Sequence, residues 1–126
     1  MYQDDTPAIL YDQFVVLENE IEKTGRNIKS LAQAEVNAIS DYELAKNQTL
    51  LQMYLDESKA DFVGKRTEMQ RTAIYREKHQ DLRMVRGLAQ ADLKSERDLL
   101  SALQSKLDGM QSRKGILMTE YLGRKV

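Results

Sequence analysis

A chain of 126 residues with 31% charged side chains, one proline, no tryptophan and no cysteine has the composition of a single soluble, strongly helical domain. Few aromatics and many Ala, Leu, Glu, Lys, Gln and Arg residues argue against sheet architectures and a thick core, and the missing cysteines exclude disulfides and thiolate chemistry. Net charge is −1 but unevenly spread: Asp4, Asp5, Asp12, Glu18, Glu20 and Glu22 make residues 1–22 acidic with no Lys or Arg, whereas 65–86 and 109–126 are net basic.

No apolar run approaches the roughly 20 residues that span a bilayer, and residues 1–6 are acidic where a signal peptide is basic. The expected location is the cytoplasm.

In chain order, Thr6 and Pro7 suit an N-cap and the first helical position. Leu10, Phe14, Leu17 and Ile21 then keep the 4-3-4 spacing of a coiled-coil seam. At Thr24-Gly25 the pattern is interrupted, so a first helical arm over 8–56 either breaks, bends or weakens near 25. Ile28, Leu31, Ala32, Ala38, Ile39, Tyr42 and Ala45 resume a stripe rich in small residues, suited to close helix pairing. Asp56-Glu57-Ser58 reads as the turn, with Ser58 as cap of the next helix.

A second arm is expected over 59–122. Its first part, 59–80, has a thin apolar face and a possible split at Gly64. From Leu82 the 4-3 spacing runs through Arg86, Ala89, Leu93, Glu96, Leu100, Leu103, Leu107, Met110, Lys114 and Leu117 to Tyr121. This seam organises the chain. A helix over 81–122 is roughly 60 Å long and must lean on another. Gly123 reads as its stop, followed by a frayed basic end. The fold expected is all-α: one domain, 1–126, built as a long antiparallel helical hairpin or coiled coil. Val15, Val16, Leu44, Leu55 and Met118 fall off its single contact line, so a homo-oligomer is expected to complete it.

The basic segment 65–86 is the sharpest candidate site. Lys65, Arg66, Arg71, Arg76, Lys78 and Arg83 could neutralise phosphates, with Phe62 and Tyr75 stacking on unpaired bases, whereas Arg86 falls on the seam. The plainer reading is a solvated face with local ion pairs, such as Glu68 with Arg71 or Lys78 with Asp81, or contact with the acidic first helix of another subunit. His79, the only histidine, is expected on a polar face; without Cys or an HExxH-type spacing neither a metal site nor a cofactor is expected. Carboxylates two apart, such as Asp41 and Glu43, point to different helix faces, and no phosphate loop or nucleophile elbow is present, so no enzyme is expected.

The segment from Asp41-Tyr-Glu-Leu-Ala-Lys46 through Met53-Tyr54-Leu55, then Lys65-Arg66 and Leu99-Leu-Ser-Ala-Leu-Gln-Ser105, resembles small all-helical recombination accessory proteins of tailed bacteriophages and, more distantly, UvsY-type recombination mediators. The resemblance covers 40–113. It implies an oligomer that binds single-stranded DNA and works with a recombinase or single-strand-binding protein in the host cytoplasm. Lys65, Arg66, Arg71 and Arg76 would then hold phosphates, the long helix would build the ring or bundle, and the acidic first helix would contact a protein partner. The alternative, from another class, is a scaffolding coiled coil without nucleic acid, its charges setting helix pairing and register.

Overall fold

The structure, a computed structural model, describes residues 7–124, with side chains from Ala8 to Glu120. Three helices follow in order, α1 (Pro7–Glu57), α2 (Glu68–Lys78) and α3 (Gln80–Arg124), with no strand among the described residues. The protein is all-α, and within each of its two units a stretch of α1 packs against a stretch of α3. Two compact units divide it. One joins α1 up to Ser30 with α3 from Lys94 onward, and the other holds Leu31–Leu93.

Pro7 opens α1, where its missing N–H has no helical partner to lose; the expected cap, Thr6, lies outside the described residues. Gly25 does not break the helix. The 4-3 spacing set by Leu10 continues through Thr24, Ile28, Leu31, Glu35, Ala38, Tyr42 and Ala45 to Thr49, and every one of these is buried or half-buried. Thr24 itself is only 5% exposed. Burial of the whole stripe outweighs the roughly 1 kcal/mol that a glycine costs a helix.

Along α3 the expected seam is realised. Between Gln80 and Glu120 the only residues that are not exposed are Leu82, Arg86, Ala89, Leu93, Glu96, Leu100, Leu103, Leu107, Met110 and Leu117. Lys114, on the same register, is exposed and lays its ammonium 5.8 Å from the Phe14 ring centre. Gly123 does not stop the helix, which includes it and runs to Arg124.

The unit containing the start of α1 has its core at Leu10, Leu17 and Met110, with Phe14, Ile21, Leu103, Leu107 and Leu117 packed around them. In the other unit the core is Tyr42, Met53 and Tyr75, flanked by Leu50 and Leu82.

The expected turn and second arm need correction. Asp56 and Glu57 are the last residues of α1, and the connection runs over 58–67. Ser58 caps nothing downstream, because its Oγ donates back to the Leu55 carbonyl at 2.7 Å. Gly64 adopts φ +77°, a left-handed conformation that its missing Cβ permits. The second arm starts at Glu68 rather than 59, capped by Thr67. Thr67 Oγ1 accepts from the Gln70 N–H at 3.2 Å while the Gln70 side chain accepts from the Thr67 N–H at 2.9 Å. A single non-helical residue, His79, separates α2 from α3; its N–H donates to the Tyr75 carbonyl and its carbonyl accepts from the Arg83 N–H, both at the i to i+4 spacing.

Candidate nucleic-acid interface

The basic segment lies wholly in the unit 31–93, and the structure sorts its side chains into two sets. Glu57, at the C-terminal end of α1, is the sorting group. Its side chain is 4% exposed and accepts from Arg71 Nε at 3.1 Å, Arg71 Nη2 at 3.0 Å and the Arg66 backbone N–H at 2.6 Å. The Arg66 guanidinium also stands near, its Nη1 4.0 Å from Glu57 Oε2. A two-pronged guanidinium grip of this kind is directional and stronger than a point-charge contact. The Arg71 hydrogen bonds hold the Glu57 carboxyl below the usual carboxylate range, against burial, which pushes it up; Glu57 in turn raises Arg71. Together they tie the end of α1 to the connecting segment and to the first turn of α2.

Arg71 also lies 4.6 Å from the Tyr54 ring centre, and Arg66 lies 5.1 Å from that of Phe62. Both arginines are therefore held by the protein itself. Lys65, Arg76, Lys78 and Arg83 differ: all four are exposed and none makes an ion pair among the described residues. The local pairs of the plainer reading do not form. Arg71 turns to Glu57 rather than Glu68, and Lys78 leaves Asp81 alone.

The expected aromatic platform needs revision too. Tyr75 is buried against Tyr42 and Met53, with the Lys46 ammonium 5.4 Å from its ring centre, so it belongs to the core and cannot stack on a base. Phe62 is half-buried under Arg66. Arg86 keeps its seam position, with its guanidinium 4.6 Å from the Tyr42 ring centre. His79 is not on a polar face but half-buried, its Nε2 hydrogen-bonded to the buried Thr49 hydroxyl.

Among the described residues no three His, Cys, Asp or Glu side chains stand close enough to hold a metal ion, and no helix is long and apolar enough to cross a membrane. What this unit offers is positive charge, held on a short capped helix and its flanks. Four exposed cations on α2 and its flanks can neutralise phosphates without first breaking an internal pair, whereas Arg71 would have to give up its hydrogen bonds to the buried Glu57 carboxylate. Comparison of the chain with protein-family models, with characterised proteins and with solved structures brings no match.

Proposed function

We propose that the protein is a non-catalytic, phage-type accessory factor of DNA recombination, a self-associating helical hairpin that holds single-stranded DNA along its basic segment. The observation that carries the DNA-binding part is the division of that segment: Lys65, Arg76, Lys78 and Arg83 stand exposed and unpaired among the described residues while Glu57 holds Arg66 and Arg71. The recombination context, with a recombinase or single-strand-binding protein as partner, rests on the resemblance over 40–113. In this reading Glu57, Arg66 and Arg71 position the phosphate-binding cations and do not themselves touch the strand.

A scaffolding coiled coil without nucleic acid is the second reading, favoured by the exposed apolar side chains Leu44, Leu51 and Leu55 on α1. Anisotropy of a fluorescent single-stranded oligonucleotide separates the two. The first expects binding that is lost in an Arg76→Ala, Lys78→Ala, Arg83→Ala variant of unchanged helicity. Absence of binding by the unmodified protein at low salt overturns it in favour of the scaffold.

A further inference from the structure

In the unit formed by the start of α1 and the end of α3, a groove runs beside the seam. Leu17 and Met110 form its floor, Val16 and Glu20 stand on the α1 wall, and Lys106 and Gly109 on the α3 wall. Its lining is mainly apolar. The same faces continue seven residues away, with Ile9 before Val16 and with Ala102 and Ile116 on either side of Gly109, and all three of these are exposed. A Cβ placed on Gly109 meets nothing within 4 Å, so the wall is lowest there and open to an approaching helix.

We propose that a second copy of this chain occupies this groove, the two helix pairs meeting face to face about a two-fold axis as a four-helix bundle. The inference deepens the self-association in the reading above by naming its surface. Two observations select a second copy over an unrelated helix.

The first is charge. Glu20 stands on the α1 wall and Lys106 on the α3 wall, and neither makes an ion pair among the described residues. A two-fold axis along the groove sets the α1 wall of one copy over the α3 wall of the other. Each Glu20 then faces the partner's Lys106, so the surface complements itself. The second is the apolar pattern: Ile9 and Val16 on the α1 face and Ile116 on the α3 face are 37%, 58% and 60% exposed, so the axis that pairs the charges also sets apolar residues of one copy over those of the other.

The test is the mass of the full chain by sedimentation equilibrium, for the unmodified protein and three variants. Gly109→Leu fills the groove from an exposed helical position where the protomer has room, so the hairpin keeps its helicity. The unmodified protein is expected at twice the chain mass, or an even multiple of it, and Gly109→Leu at half that assembly with at least a tenfold higher dissociation constant. Glu20→Lys and Lys106→Glu are each expected to weaken association, and the two together to restore it. A monomeric unmodified protein at tens of micromolar overturns the proposal. So does an assembly whose mass ignores both Gly109→Leu and the charge exchange. Oligonucleotide binding, read separately on the same samples, reports on the DNA reading alone.

Discussion

Each of the two units is held together internally, and by different physics. Around Leu10, Leu17 and Met110 the contact is an apolar seam on a regular spacing, with one cation, Lys114, laid over Phe14. Around Tyr42, Met53 and Tyr75 the contact is mixed. A buried carboxylate grips two arginines, three cations lie over the tyrosines, and a histidine meets a buried threonine. The seam loses stability in proportion to apolar volume removed, and any one contact is replaceable by another of similar size. The unit with the charged contacts behaves otherwise. Removing one partner leaves the other buried and unsatisfied, so single substitutions there act out of proportion to their size.

The sharpest way to break that comparison is Glu57→Ala. It strands Arg71, whose side chain is 15% exposed, and unties the connecting segment from α1. The melting temperature is expected to fall by roughly ten degrees or more, the largest effect of any single change here. Hydrogen exchange should show protection lost first in α2, whose amides would open before those of α1 near Leu17.

Leu17→Ala comes next. The side chain is 3% exposed, and a cavity of that kind costs about 2–4 kcal/mol in denaturant unfolding. Hydrogen exchange is expected to move in the Leu10–Met110 core, with α2 keeping its protection. A loss confined to α2 would erase the distinction between the units.

Acid separates them as well. Because the Arg71 hydrogen bonds hold the folded-state Glu57 carboxyl below its ordinary value, its contribution is complete above that ordinary value and is lost as pH falls through the lower, folded one. Melting temperature is therefore expected to drop on the acid side, and the drop to shrink in Glu57→Gln. Equal acid sensitivity of the two proteins would contradict the clamp.

Smallest is Thr67→Ala, which removes one half of the capping box at the start of α2 and is expected to cost about 1 kcal/mol. Far-ultraviolet circular dichroism across a thermal scan is sensitive enough to register it.

Legibility in the sequence follows the same division. A seam is a periodic object, so the α3 stripe from Leu82 to Leu117 could be read residue by residue, and the hairpin followed from it. The same spacing passes through Thr24 and Thr49 on α1. Leaving a break, a bend or a weakening open near residue 25 gave a local propensity more weight than a register that continues on both sides.

The clamp carries no such signal. Glu57 and Arg71 are 14 residues apart across an irregular segment, and neither residue type announces burial. Composition therefore grouped Arg66 and Arg71 with the exposed cations, and placed Tyr75 among base-stacking residues although it closes the core. Thr67 followed by Gln70 is a capping signature that was readable, and it would have placed the start of the second arm correctly.

The division of the basic segment into a structural pair and an exposed set is the claim on which the account turns. The dependence of single-stranded DNA affinity on salt tests it most directly. With up to four phosphates neutralised, log K against log salt should have a slope of about −3, falling toward zero in Arg76→Ala, Lys78→Ala, Arg83→Ala combined with Lys65→Ala. A slope that survives in this variant, with helicity unchanged, would contradict the account.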